Sequence, residues 1–153
     1  MAAFELRMPP VPLAFIFGIL MWLVAWFTPQ GRIVLPWATG LAVVLGVAGA
    51  VLAGGGVAAF RSARTTTNPL RPDAVRTIVT SGVYRLSRNP MYAGLLLCLA
   101  GWAMQLSHPL PLVFLPLFVA YLNRFQIIPE ERVLEARFGG AYRDYRKAVR
   151  RWL

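Results

Sequence analysis

The chain has 153 residues, of which 58% are hydrophobic and 14% charged, against about 45–50% and about 25% in ordinary soluble domains. A single domain's length of chain this apolar cannot present a water-compatible surface, so the composition points away from soluble folds and toward an integral membrane protein. A formal charge of +10 would otherwise suit nucleic acid, but of the 16 Lys and Arg all except Arg7 and Arg32 fall within Arg61–Arg88 or Arg124–Arg151, blocks that flank apolar runs as the positive-inside rule requires.

Taken in chain order, the first apolar run gives a span over residues 10–27, closed by Thr28-Pro29-Gln30-Gly31. It is too long for a signal-peptide core and has no small-x-small cleavage pattern, so it reads as a retained span. The second run, residues 33–60, exceeds the ~20 residues a bilayer needs and is expected to tilt or to extend beyond the hydrocarbon. Within it Gly46, Ala50 and Gly54 recur every four residues, a small-residue face that suits close helix association, including a homo-oligomer. Gly54–Gly56 is no phosphate loop, because the Lys-Ser/Thr pair is missing and the run is apolar.

Residues 61–89 form the one substantial loop, with six arginines against Asp73 alone, and turns at Asn68-Pro69 and Arg71-Pro72. Thr77-Ile78-Val79-Thr80 has β-branched, extended character. Spans three and four are expected over 91–106 and 110–122, an antiparallel hairpin joined by Ser107-His108-Pro109. Both are short for spanning and need tilt or extension. Four spans place the N-terminus, the basic loop and the C-terminal segment together on the cytoplasmic side. The whole, residues 1–153, is thus expected to be one all-α integral membrane domain of four transmembrane helices and a C-terminal cytoplasmic amphipathic segment.

After the fourth span, Pro129 suits a first helical position, which would set Glu130 and Glu131 in a first turn favoured by the helix dipole. Gly139-Gly140 is expected to end that helix. Beyond it Phe138, Tyr142, Tyr145, Val149 and Trp152 make an apolar-aromatic stripe with Arg143, Arg146, Lys147, Arg150 and Arg151 around the rest. That pattern fits either an interfacial helix on an anionic leaflet or a lid docked on the loop.

The single cysteine, Cys98, excludes an intrachain disulfide or a multi-cysteine metal site, and no metal site is expected. The single histidine, His108, reads as a turn or interface residue on the exposed side, which makes Ser-His-Asp and Cys-His catalysis poor candidates. The spans hold almost no ionisable residue, which argues against an ion pathway. Polar chemistry gathers instead in Ser81–Gly94, reading SGVYRLSRNPMYAG, and in Pro129-Glu130-Glu131 across the hairpin. Pro90 is suited to begin a helix and biases Asn89 away from helical angles, exposing helix-start amides beside Arg88 and Asn89 as an anion seat. Tyr84, Tyr92 and Glu130 add aromatic rings and a negative charge, a set suited to a zwitterionic, aromatic-bearing cofactor. Taken singly, Arg85 and Arg88 also fit positive-inside anchoring, the tyrosines an interfacial belt, and the glutamates helix-start acids.

The stretch Val79 to Tyr92, a hydrophobic hairpin, and then Glu130-Glu131-Arg-Val-Leu-Glu-Ala-Arg-Phe-Gly-Gly-Ala-Tyr-Arg-Asp-Tyr145 together resemble the isoprenylcysteine carboxyl methyltransferases and the related phospholipid methyltransferases. Their pattern is an Arg-His-Pro-x-Tyr block, two helices, and a Glu-Glu pair before Phe-Gly-x-x-Tyr. The resemblance covers roughly residues 68–151. It implies an integral membrane methyltransferase that uses S-adenosylmethionine without a Rossmann fold, with cofactor-site segments at 68–92 and 126–153. Carried over by position, Arg76, Thr77, Ile78 and Val79 wrap the cofactor, Tyr84 touches it, Arg88, Asn89, Pro90, Met91 and Tyr92 bind it, and Glu130 holds one of its polar groups. Glu130 and Arg137 are the candidate catalytic residues, and Arg137 and Tyr142 would help cover the site. Asn89 stands where many relatives have His, and Gln126 where the eukaryotic enzymes carry a substrate-contacting arginine, with Arg124 nearby as a second substrate-binding candidate.

The implied chemistry needs alignment and exclusion of water more than acid–base groups, because a sulfonium methyl is already electrophilic. The expected partners are membrane lipids and a lipophilic isoprenoid, prenylcysteine-like or phospholipid-type acceptor, with carboxylate, amine, thiol and hydroxyl all open as the accepting group. Two other classes compete: an NADPH-dependent membrane sterol or lipid reductase, which would want further basic and acidic motifs, and a non-catalytic four-span scaffold or small transporter.

Overall fold

A computed structural model describes residues 8–63 and 77–153. Among the described residues the regular structure is helical: α1 (Pro10–Phe27), α2 (Ala38–Ser62), α3 (Pro90–Leu106), α4 (Phe114–Leu122), α5 (Ile128–Phe138) and α6 (Gly140–Ala148), with short 3-10 turns at Pro29–Gly31, Gly82–Arg85 and Leu110–Val113. Thr77–Thr80, expected to be extended, is irregular and forms no strand. Arg76 and the whole of the segment 68–76 lie outside the described residues.

Three helices are long and apolar enough to cross a membrane: Pro10–Phe27, Ala38–Ser62 and the continuous run Leu110–Phe138. The third expected span is α3, a shorter apolar helix of 17 residues, Pro90–Leu106. Two expected boundaries change. Ile33–Trp37 is not helical and α2 starts at Ala38, because Arg32–Leu35 is tied down in the loop that follows Gly31 and Pro36 has no N–H to give. The fourth run does not stop at residue 122, nor does a fresh helix open at Pro129. The chain passes from α4 through a π-helical turn, Asn123–Ile127, directly into α5. A proline ring inside an α-helix collides with the carbonyl four residues back, here that of Phe125, and the wider π turn relieves that crowding. Glu130 and Glu131 therefore sit in mid-helix, and the helix-start dipole cannot be what places them.

α3 is the central element. On one side its small residues let α2 come to backbone contact: a Cβ on Gly94 would lie 2.5 Å from the Gly49 carbonyl oxygen and 2.8 Å from the Ala53 Cβ, and one on Gly101 would lie 2.8 Å from the Ala42 oxygen. Of the small face predicted from Gly46, Ala50 and Gly54, Gly46 alone borders this seam, its nitrogen 3.3 Å from where a Gly101 Cβ would lie and its carbonyl 3.8 Å from Cys98 Sγ. Ala50 and Gly54 point outward with Val43, Val47 and Val51, and the intramolecular seam runs through Gly49, Ala53 and Gly56 instead. On its other side α3 packs on α1 and α4 through Leu13, Met21, Leu99, Ala103, Phe118 and Leu122, with the Phe17 ring edge-on to Phe118 at 5.2 Å.

His108 is buried, in contrast to the exposed position expected of it. Its Nδ1 accepts from the Leu110 N–H at 3.2 Å, so Nε2 carries the proton and donates to the Thr28 carbonyl at 2.8 Å. Together with the Ile33 N–H donating to Ser107 O at 2.8 Å, this joins the α1–α2 and α3–α4 connections at one end of the bundle. The opposite end carries the end of α2, the start of α3 and α5.

The α2–α3 seam sets a stability prediction. Gly94→Ala gains helix propensity of about 0.5–1 kcal/mol, yet its methyl has no room and should cost a net ~1–3 kcal/mol. Gly54→Ala meets nothing within 4 Å and should be neutral or stabilising. Thermal unfolding of the two detergent-purified variants checks this, and equal midpoints would refute the close approach.

Candidate functional site at the polar end

The two polar blocks meet. Ser81 is extended and Gly82 takes φ +60, which turns the chain into the 3-10 turn Gly82–Arg85 and seats the Val83 side chain over Gly55 of α2. Tyr84 is buried there with its ring edge-on to Phe60 at 5.4 Å. Pro90 is the first residue of α3, as its fixed φ and missing N–H allow. Tyr92, also buried, then faces α5, and its hydroxyl donates to Glu130 Oε1 at 2.6 Å. This short bond ties the Ser81–Gly94 block to the glutamate pair.

Glu131 does something the sequence did not reveal. Its buried carboxylate takes two parallel bonds from Arg151, Nε to Oε1 at 3.1 Å and Nη2 to Oε2 at 2.7 Å. Arg88 Nη1 lies 3.0 Å from the same Oε1, an ion pair by distance whose angle falls short of a hydrogen bond. Two guanidiniums thus share one carboxylate and the cluster keeps a net positive charge. Arg88 Nε and Nη1 are buried without a hydrogen-bond acceptor.

Donors immediately ahead of the first turn of α3 are engaged by the chain itself. The Arg88 N–H donates to Arg150 O at 2.9 Å, Asn89 Nδ2 to Arg151 O at 3.0 Å, and Ser87 Oγ to Arg151 O at 3.2 Å. Ser87 Oγ also accepts from the Asn89 N–H at 3.0 Å. Trp152 Nε1 donates to Asn123 Oδ1 at 3.1 Å and its ring packs on the apolar core. α6 is docked on the first block: Tyr145 donates to Tyr84 O at 2.8 Å, and Tyr142 is buried against Arg88 and Glu131. Of the two readings of the aromatic stripe, the docked lid describes these contacts. Burial pushes the Tyr142 and Tyr145 phenols up to about 12, and burial with the Tyr145 and Glu130 charges raises Tyr84 further, so all three are neutral at physiological pH.

The remaining candidates are spread out. Val79 is buried beside the turn, Ile78 is half-buried and Thr77 exposed. Met91 packs on Gly56 of α2, where a Cβ would come 2.5 Å from its Cγ. Gln126 is fully buried, donates Nε2 to the Met8 carbonyl and keeps its Oε1 without a donor. Arg124 is on the exposed side of the π turn with its guanidinium 5.5 Å over the Phe125 ring, so it does not converge with Gln126. Arg137 is exposed, 5.8 Å over the Phe138 ring, two turns beyond Glu130. Arg151, Trp152 and Asn123 were not singled out for the site from sequence, and Ser87 and Glu131 entered it only as members of the two polar blocks. The one signal available was the Ser87-Arg88-Asn89-Pro90 run, whose Ser two residues before Asn89 is placed to cap its N–H.

The profile of the family described as phospholipid methyltransferase matches residues 37–141. An uncharacterized protein of Haemophilus influenzae is 44% identical over 63 residues, 41% of this chain and 100% of that protein. A probable protein-S-isoprenylcysteine O-methyltransferase of Oryza sativa subsp. indica is 36% identical over 72 residues, 47% of this chain and 38% of that enzyme. Protein-S-isoprenylcysteine O-methyltransferase B of Arabidopsis thaliana is 30% identical over 80 residues, 52% of this chain and 41% of that enzyme. The chain therefore matches well under half the length of these plant enzymes. No solved structure matches it.

The buried and exposed ion pairs of this region should separate by mutation. Glu131→Ala strands the buried Arg88 and should cost ~3–5 kcal/mol, whereas Glu135→Ala removes an exposed pair with Arg146 and should cost under ~1 kcal/mol. Denaturation of the two variants in the same detergent measures the difference, and similar losses would contradict the burial of the Glu131 cluster.

Proposed function

Because the chain belongs to the phospholipid methyltransferase family, a multi-pass membrane methyltransferase family by its profile and its relatives, we propose that it transfers a methyl group from S-adenosylmethionine to a lipophilic acceptor at the polar end of its bundle. The observation that carries the reading is the Tyr92–Glu130 bond, which joins the two polar blocks beside a buried cluster with excess positive charge.

The residues fit such a ligand. S-adenosylmethionine supplies, when bound, a methyl group on a positively charged sulfur, together with an amino and a carboxylate group. Glu130 is the anion that would hold the amino group, oriented by the Tyr92 hydroxyl on its Oε1. Arg88, with buried N–H groups lacking an acceptor, is the cation that would take the carboxylate. Tyr84 and Tyr92 contribute ring surface, and Thr77, Ile78 and Val79 backbone, with Arg76 preceding them. Asn89, Pro90 and Met91 form the floor of this end, though the Asn89 amide donor is engaged by Arg151 O, which favours a structural share for that residue.

Glu130 needs only to hold charge and orientation, since the methyl group requires alignment with its acceptor in a dry site more than proton transfer. α6 and the segment behind it exclude water, with Arg137 at the rim. The acceptor enters from the bilayer, where the buried carbonyl of Gln126 offers an acceptor to an O–H or N–H group, and Arg124 meets lipid head groups at the surface. On this reading residues 61–88 and 124–151, with both ends of the chain, face the cytoplasm, in keeping with their cations.

Calorimetric titration of S-adenosylhomocysteine into detergent-purified protein tests the proposal. The wild type should bind, Glu130→Ala should bind about 10–100-fold more weakly, and Tyr92→Phe should lose a smaller factor, because hydrogen bonds to charged groups are worth ~1.5–3 kcal/mol. No heat at millimolar ligand, or binding of NADPH in its place, overturns the reading. Unchanged affinity in both variants overturns the site.

A further inference from the structure

We propose that Arg151 is a positioning residue for the Tyr92–Glu130 pair, acting through Glu131, and that Arg150–Trp152 forms a latch holding the two halves of the site in register. The proposal rests on the functional reading above for the identity of its ligand, while the latch itself follows from contacts alone.

The two halves have few direct polar ties of their own. Tyr92 stands at the start of α3, and Glu130 on a helix reached through a π turn, which interrupts the α-helical ladder around it. Between them run the Tyr92–Glu130 bond and the Arg88–Glu131 pair. The segment 150–152 links both halves at once. Its carbonyls take donors from Ser87, Arg88 and Asn89 of the first, while the Arg151 side chain forks onto Glu131 and Trp152 reaches Asn123 of the second.

A planar guanidinium bonded through two nitrogens fixes the rotation of its carboxylate, which a single Arg88 contact does not. Holding Glu131 in that orientation fixes the turn that also carries Glu130. Arg88 and Arg151 differ in access: the Arg88 side chain is 9% exposed and that of Arg151 34%, so Arg151 is the member that can let go without leaving a bare charge in the interior. Its release loosens the segment whose carbonyls hold the other donors, that of Arg88 on Arg150 O and those of Ser87 and Asn89 on Arg151 O.

The test uses the full chain in detergent and compares Arg151→Ala, Arg151→Lys and Arg146→Ala. Arg146 belongs to the exposed pair with Glu135 and serves as the control. Hydrogen exchange of a peptide covering 84–89 reads the latch without any ligand, and S-adenosylhomocysteine titration reads its effect on the site. Arg151→Ala should speed exchange in that peptide at least tenfold and weaken binding about tenfold. Arg151→Lys, which keeps the charge but loses the fork, should recover part of both, and Arg146→Ala should change neither. Unchanged exchange in Arg151→Ala overturns the latch. Faster exchange with unchanged affinity overturns the positioning role. A wild type that binds no S-adenosylhomocysteine while Arg151→Ala still speeds exchange overturns the functional reading and leaves the latch standing.

Discussion

A buried carboxylate facing two guanidiniums constrains the polar end of this protein more than any other contact. Removing the carboxylate from such a cluster leaves cations uncompensated in a medium that solvates them poorly, so Glu131 is what holds the two arginines together. These residues are far apart in sequence: Arg88 before the central helix, Glu131 on the last long helix, and Arg151 behind α6. Their meeting draws the carbonyls of residues 150 and 151 over the start of α3 and sets Tyr145 against the Gly82–Arg85 turn. The Tyr92–Glu130 bond lies next to this cluster and inherits its geometry.

The opposite end is held by a different kind of link. There a neutral His108 bridges two connections through backbone carbonyl and amide groups, and no charge is involved. Between the ends the helices are fixed by shape: glycines of α2 and α3 in backbone contact on one side of the central helix, interleaved Leu, Met and Phe side chains on the other. In lipid, where apolar burial drives helix association weakly, such close contact does what a hydrophobic core does in water. The protein therefore has a sterically fixed middle, a neutral pin at one end and an ionic clasp at the other.

Much of this was legible in the sequence. Composition and cation placement gave the membrane class, Pro90 gave the start of α3, Gly139 gave the break between α5 and α6, and the two polar blocks were expected to meet through Glu130. What was illegible depended on distance or on register. Gly46, Ala50 and Gly54 have the spacing of a packing face, yet only Gly46 borders the seam, which otherwise runs through Gly49, Ala53 and Gly56, because only the identity of the neighbouring helix decides which face is inside. Pro129 reads as a helix start when context is ignored, since nothing local announces that the preceding turn will widen to admit it. Arg151 looked like one cation among several on an amphipathic stretch, and Glu131 like a helix-start acid. Each owes its role to the other.

The widened turn at Asn123–Ile127 also bears on how this helix can change over time. A π turn holds one residue more than an α turn, so everything after it is rotated by about 100° relative to an uninterrupted helix. The phase of the two consecutive glutamates, one aimed at a phenol and the other at a pair of arginines, is thus written into a length of chain and not only into side-chain identity. A one-residue deletion within that turn would let it close to an ordinary α turn with the following helix still in phase, so Glu130 and Glu131 would keep their partners at the cost only of the residue removed. Point substitutions can tune this site gradually, and the π turn gives its helix one place where the length of chain can change as well.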